Sequence, residues 1–141
     1  MSYYLDTSFV VAAITNESMT QSVRAWLGQN EGADLLISEW VRTEVSSALS
    51  IKLRTGQLGE PHRAQALAEF HRFCRENFIT VPVTADHFRT AARFSDRYEL
   101  GLRAGDALHL AIAREQGATL CSLDRRIIEA GPALAIPTVA P

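Results

Sequence analysis

The chain has 141 residues, of which 47% are hydrophobic and 21% charged, and its net charge is −2. This supplies a core for one globular domain of ordinary size and excludes a disordered chain. The longest clearly apolar run, Phe9–Ile14, is far too short to span a bilayer.

Tyr3–Leu5 reads as a short buried strand that Asp6 ends. A helix is expected from Ser8 to about Ile14, and a second helical piece over Ser22–Leu27, with Gly28 and Gly32 breaking the pattern. Leu35–Ile37 is a second strand. Val41, Val45, Ala48, Leu49 and Leu53 recur at helical spacing and predict a helix from about Glu39 to Arg54, stopped by Gly56 and Gly59. Pro61 opens the next helix, about His62 to Glu76. Ile79–Val83 is a third strand. Thr84 is a good N-cap for a helix through about Tyr98, whose inward face is expected to carry Phe88, Ala91, Ala92 and Ser95. Gly101 and Gly105 flank a loop, and a helix runs from about Ala104 to Gln116, with Gly117 just past its end. Ala118–Cys121 is a fourth strand, Asp124–Ala130 a short helix and Ile136–Val139 a last strand. Strands separated by helices predict an α/β layered fold with a mainly parallel sheet. Right-handed crossovers then gather the C-terminal strand ends along one edge. No repeat, low-complexity tract or linker divides residues 1–141, which read as a single domain.

Four acids stand out in this frame: Asp6, Glu44, Asp106 and Asp124. Each aspartate sits where a helix begins, so each could cap or pre-charge a helix N-terminus and need no ligand. Glu44 lies more than a turn inside its helix, at the border of the apolar stripe, and an acid there wants a partner. A structural arginine, Arg42 or Arg103, would serve. A divalent cation explains all four acids together, because carboxylates sharing one edge repel one another without one. Magnesium and manganese prefer oxygen ligands and keep several waters. Such an ion activates water and neutralises charge growing on phosphate oxygens, so phosphodiester hydrolysis is the expected chemistry, with no serine or cysteine nucleophile required. Thr7 and Ser8 offer hydroxyls beside Asp6 for orienting a ligand or capping the helix.

Setting the four acids aside, −2 + 4 leaves +2 for the rest of the chain. Lys52 is the only lysine and the remaining basic residues are arginines, which suit phosphate contacts and base stacking. Ile51–Arg75 is locally +3, and Arg89, Arg93 and Arg97 recur every fourth residue along one helix face; a solvated surface accounts for either group as readily. Trp26, Trp40 and Phe73 are expected in core packing, and His109 is expected to be a satisfied packing residue, although it lies one turn beyond Asp106. Cys74 and Cys121 lack zinc-finger spacing and are expected to be two reduced, buried thiols. Met1–Asp6 has no basic region and no signal-type apolar core, so a cytoplasmic protein is expected.

Four stretches carry a resemblance: Tyr4-Leu-Asp-Thr-Ser8, Ser38-Glu-Trp-Val-Arg-Thr-Glu-Val45, Leu102-Arg-Ala-Gly-Asp-Ala-Leu-His-Leu-Ala111 and Leu120-Cys-Ser-Leu-Asp-Arg-Arg126. In this order the chain resembles a PIN-domain ribonuclease, specifically a VapC-type toxin of a bacterial toxin–antitoxin pair. The ending Ile136-Pro-Thr-Val139 is similar to that family's final strand. The resemblance implies a PIN-like three-layer α/β/α fold and a Mg²⁺- or Mn²⁺-dependent endoribonuclease acting on structured RNA such as tRNA or ribosomal RNA. It implies Asp6 and Asp106 as metal ligands, Glu44 as a ligand or as the residue that positions a water, and Asp124 at a second metal position. Ser8 and Ser122 would be secondary polar residues of the site. It also implies a homodimer and a VapB-type antitoxin whose tail enters the groove.

Two other classes compete. A receiver or haloacid-phosphatase domain also places acids at strand ends, but the first needs a late lysine and the second an acid where Ser8 stands. A non-cleaving RNA- or protein-binding module on the same scaffold would keep the fold without needing the chemistry.

Overall fold

The sheet is built from strands of two to five residues, of which the inner three have neighbours on both sides and the outer two on one. In the computed structural model, which describes residues 1–141, these are β1 (Ser2–Leu5), β2 (Asp34–Ser38), β3 (Phe78–Val81), β4 (Thr119–Cys121) and β5 (Thr138–Val139). All pair in parallel, in the order β3-β2-β1-β4-β5. Tyr4 lies level with Leu36 on one side and Leu120 on the other, so β1 is the central strand.

The helices are α1 (Thr7–Ile14), α2 (Thr20–Gln29), α3 (Glu39–Arg54), α4 (Glu60–Glu76), α5 (Ala85–Asp96), α6 (Ala104–Gln116) and α7 (Arg125–Ala133). From β1 the chain steps outward through α1–α4 to β2 and β3, then returns through α5 and α6 to β4 on the far side of β1. Because parallel crossovers are right-handed, reversing the direction of travel puts α5–α7 on the opposite face from α1–α4. The packing follows: α1 meets α2, α3 and α4, while α6 meets α5 and α7. The result is the expected α/β/α sandwich, with the sheet wholly parallel. Phe9 to Ile14 of α1 and Ala107 to Ala113 of α6 are buried throughout, as helices apolar on all sides must be. No helix is long and apolar enough to cross a membrane.

Several boundaries and one face differ from expectation, each for a physical reason. The third strand stops at Val81, because Pro82 has no N–H to continue a ladder. The helix after Thr84 ends at Asp96, giving way to a 3₁₀ turn at Tyr98–Leu100 and to Gly101 at φ +66. Its buried face carries His87, Ala91 and Phe94, whereas Phe88 is 55% exposed and Ala92 and Ser95 are also exposed. The capping box selects this rotation: the Thr84 amide donates to His87 Nδ1 at 2.9 Å, pinning that ring over the first turn. The last strand is confined to Thr138–Val139, while Ile136 is drawn into the core.

The arginines expected on one face of α5 do face solvent: Arg89 bonds Asp86, and Arg97 bonds Glu99 and the Ala133 carbonyl. In the Ile51–Arg75 stretch, Lys52 pairs with Glu17, and Arg72 with Glu69 and Glu76. Trp26 stands edge-on to Tyr3 and Phe9, and Phe73 stacks on Phe78, as core packing requires. Of the two thiols only Cys121 is buried; Cys74 is half-buried.

Among the glycines, the tightest approach to a neighbour joins α7 to β5. A Cβ on Gly131 would lie 2.2 Å from Thr138 Cγ2 and 2.8 Å from the Ile136 carbonyl oxygen. The oxygen is backbone and cannot swing away. Gly131→Ala is therefore expected to lower stability by about 1–3 kcal/mol, the usual cost of overpacking. Urea denaturation checks this, and an unchanged midpoint would disprove the close approach.

Candidate active site

Crossovers leave β1 in opposite directions, and at such a switch point the C-terminal strand ends open a crevice. Asp6 is the first residue past β1 at that point. Its amide donates to the Cys121 carbonyl, extending the β1–β4 ladder by one residue and bringing its side chain beside Ser122. Oδ1 accepts from the Phe9 amide at 3.0 Å, as an N-cap does, and from the Ser8 hydroxyl at 2.7 Å. Oδ2 accepts from the Ser122 hydroxyl at 2.5 Å. Asp6 is only 2% exposed. Burial pushes its carboxyl above the usual aspartate range, against the pull of His109, the two hydroxyls and the Phe9 amide.

Ser122 and Ser8 are shared between Asp6 and the next element. The Asp124 amide donates to Ser122 Oγ at 2.9 Å and the Leu123 amide to Ser8 Oγ at 3.0 Å. These bonds hold the loop after β4 against the start of α1. Asp124 itself N-caps α7, accepting from the Arg126 amide at 2.8 Å. Asp106 sits in the first turn of α6 and accepts from the Arg103 amide at 3.1 Å. Burial raises the Asp106 carboxyl above its ordinary range, and the nearby Asp124 charge adds to this, while the Arg103 amide opposes it.

Glu44 reaches the same edge from α3. Oε1 accepts from the Thr7 hydroxyl at 2.7 Å and meets His109 Nε2 at 2.5 Å. Oε2 lies against the start of α6, where a Cβ on Gly105 would be 3.2 Å from it. Burial works to raise the Glu44 carboxyl, yet the His109 bond and charge and the Thr7 hydroxyl outweigh it and hold the group below the usual glutamate range. The alternative partner, a structural arginine, is absent: Arg42 turns to Glu39 and Thr80, and Arg103 contributes its amide to Asp106. Two residues from Glu44 along a helix, Arg42 points away from it. His109 fills the role instead, and is 3% exposed.

The acids thus fall into linked groups. Asp6, Ser8, Ser122 and Asp124 share direct hydrogen bonds; Glu44, Thr7 and His109 form a second set; Asp106 couples to Asp124 through space. His109 acts electrostatically on Asp6, Glu44 and Asp106 alike. No three His, Cys, Asp or Glu side chains meet at ready-made metal-ligand spacing. Each carboxylate has turned to the hydroxyl or amide donors within reach. The donor chemistry nevertheless fits a hard divalent cation: all four carry carboxylate oxygens, and no arginine or lysine pairs with Asp6, Glu44, Asp106 or Asp124. Sequence reasoning missed Tyr4, Ser38 and Gly105, and weighed His109 as a packing residue ahead of a helper at the site; the one available signal was a histidine one turn past Asp106.

A wholly parallel α/β/α domain that brings four acids to the edge where crossovers diverge has its candidate site there. The chain belongs to the PIN-domain family, a family of nucleases, whose model matches residues 3–131. No curated protein sequence matches the chain. Among solved structures it is similar to Mycobacterium tuberculosis VapC20, described as a sarcin-ricin loop cleaving toxin, with 22% identity over 92% of this chain and 95% of that one, at a TM-score of 0.72. It is similar to VapBC2 from Rickettsia felis, solved bound to a DNA fragment from its promoter, with 17% identity over 99% and 98% of the two chains and a TM-score of 0.70. VapBC-5 from Mycobacterium tuberculosis, of the VapBC family of toxin-antitoxin systems, matches at 20% identity over 99% and 98%, with a TM-score of 0.63. At such identities these likenesses establish the fold.

Asp106 gives a signed stability test. Its folded-state pKa is raised, so its ionised form costs stability at neutral pH, and that cost disappears as pH falls through the folded value toward the unfolded one, about 4. In EDTA, Asp106→Asn is expected to melt a few degrees higher than wild type at neutral pH, with the gain shrinking as pH approaches about 4. A lower melting temperature at neutral pH would make Asp106 a helix-capping residue first.

Proposed function

We propose that the chain is a VapC-type toxin: a Mg²⁺- or Mn²⁺-dependent endoribonuclease that hydrolyses phosphodiester bonds of tRNA or ribosomal RNA. On this reading residues 1–141 form a single PIN domain that works in the cytoplasm as a homodimer and is held inactive by a VapB-type antitoxin. One observation carries it. Four carboxylates, one of them almost fully buried, share one sheet edge without an arginine or lysine to balance them. The printed descriptions of the fold neighbours, a loop-cleaving toxin and members of toxin-antitoxin pairs, support the substrate class and the partner.

Asp6, Glu44, Asp106 and Asp124 would hold the cation. When bound, it supplies charge neutralisation on the phosphate and a more acidic water. The protein's part is preparation. Ser8, Ser122 and the Phe9 amide fix both oxygens of Asp6, and the Thr7 hydroxyl donates to one oxygen of Glu44. Neither cysteine suits a nucleophile's role: burial pushes both thiols up, and Cys121 is enclosed. The hydroxyls of Ser8 and Ser122 are both spent on Asp6, so water is the attacking group.

The self-satisfied state of the acids favours one rival, a non-cleaving RNA- or protein-binding module on the PIN scaffold. Total cellular RNA incubated with purified, antitoxin-free protein in Mg²⁺, Mn²⁺ or EDTA separates the two. Discrete metal-dependent fragments are expected, reduced at least about a hundredfold in Asp6→Asn and Asp106→Asn, since the cation is worth several kcal/mol at the phosphate. Cleavage in EDTA, or wild-type rates in either folded variant, would refute the metal assignment, and metal-loaded protein that binds RNA without cutting would establish the rival.

A further inference from the structure

A row of buried polar groups runs behind Glu44 that no part of the reaction above requires. Ser38 Oγ lies 2.8 Å from the Tyr4 hydroxyl, Tyr4 lies 2.8 Å from His109 Nδ1, and His109 Nε2 lies 2.5 Å from Glu44 Oε1. Tyr4 and Ser38 are fully enclosed and His109 nearly so. The row crosses four elements: β1, the end of β2, α6 and α3. Burying three polar groups is costly where apolar side chains of like volume would pack, unless every group is satisfied.

The carboxylate fixes one end of the row: Glu44 Oε1 accepts, so His109 Nε2 carries the proton between them. His109 Nδ1 meets the Tyr4 hydroxyl, which meets Ser38 Oγ, and Ser38 Oγ accepts from the Val41 amide at 3.3 Å. The ring is thus held at both nitrogens. With the Thr7 hydroxyl, Oε1 receives two donors. Oε2 receives none and lies over Gly105, where even a methyl group would sit 3.2 Å away. The next residue is Asp106.

We propose that His109 is a positioning residue: braced by Tyr4 and Ser38, it locks one oxygen of Glu44 so that the other is presented beside Gly105 and Asp106 to a divalent cation. This rests on the reading of Glu44 as a cation-holding acid. His109 touches neither the ion nor the RNA. It acts as outer partners of metal ligands do, by removing the freedom of a side chain that would otherwise have to be ordered on binding.

The test is Mn²⁺ affinity, read from free Mn²⁺ by electron paramagnetic resonance, on full-length protein with circular dichroism as a check of fold. His109→Leu is expected to weaken Mn²⁺ binding at least about tenfold, with kcat reduced and KM for RNA unchanged. His109→Gln, which can still offer an N–H near the Nε2 position, is expected to restore most of the affinity. Tyr4→Phe removes the brace and is expected to fall between them. Unchanged or tighter Mn²⁺ binding in folded His109→Leu overturns the proposal, as does a Gln variant no better than Leu. Should the Leu variant fail to fold, wild-type affinity in Tyr4→Phe overturns it. Glu44→Gln separates the layers: if it binds Mn²⁺ as wild type does, the reading of Glu44 fails and the proposal with it. If it loses affinity while His109→Leu does not, only the positioning role is lost.

Discussion

A carboxylate buried without a cation of its own is the constraint around which this molecule is organised. Asp6 is enclosed at the end of the central strand, and burial makes its charge expensive. No arginine or lysine answers it. Two serine hydroxyls and one amide do, and they come from α1 and from the loop after β4. The groups that solvate Asp6 are therefore the same groups that join the first and fourth strands at the sheet edge. Stability and site geometry are not separable here, since loosening the hydroxyls would both unsolvate the acid and unfasten the edge.

The topology decides which residues can meet. A parallel sheet that grows outward from its middle strand must send its crossovers to opposite faces, and the space between them falls above β1. Four elements open onto it: the start of α1, the inner face of α3, the first turn of α6 and the start of α7. Each contributes one acid. Helix starts are already electropositive, which eases the placing of carboxylates there. Glu44 has no such help from its position inside α3 and needs a side-chain donor instead. That difference is why the only histidine at the edge lies against Glu44 and not against an aspartate.

Much of this was legible in the amino-acid order. The strands and most helices announce themselves through apolar periodicity, and Thr84, Pro61 and Gly117 punctuate the chain as their chemistry requires. The four acids were legible by position, three at helix starts and Glu44 at the border of an apolar stripe. Contacts between distant residues were not. Tyr4 and His109 lie 105 positions apart, and nothing local in either says that one braces the other. The misjudged face of α5 has the same origin, since 87-91-94 and 88-91-95 are both helical spacings. A buried histidine capping its own helix decided between them. An arginine partner for Glu44, the alternative to a cation, was reasonable on charge alone and fails on direction, because Arg42 points to another side of the helix.

The span of the acids along the chain has a consequence for the order in which the protein comes into being. Ser122 and Asp124, which complete the surroundings of Asp6, are made 116 and 118 positions after it. At synthesis rates of about 5–20 residues per second, roughly 6–24 s pass before the edge can close. Through that interval β1 has no β4 beside it, and Asp6 has neither its ladder bond nor the Ser122 hydroxyl. Until Ser122 is made, the edge therefore lacks the contacts that hold Asp6 and the start of α1 in place.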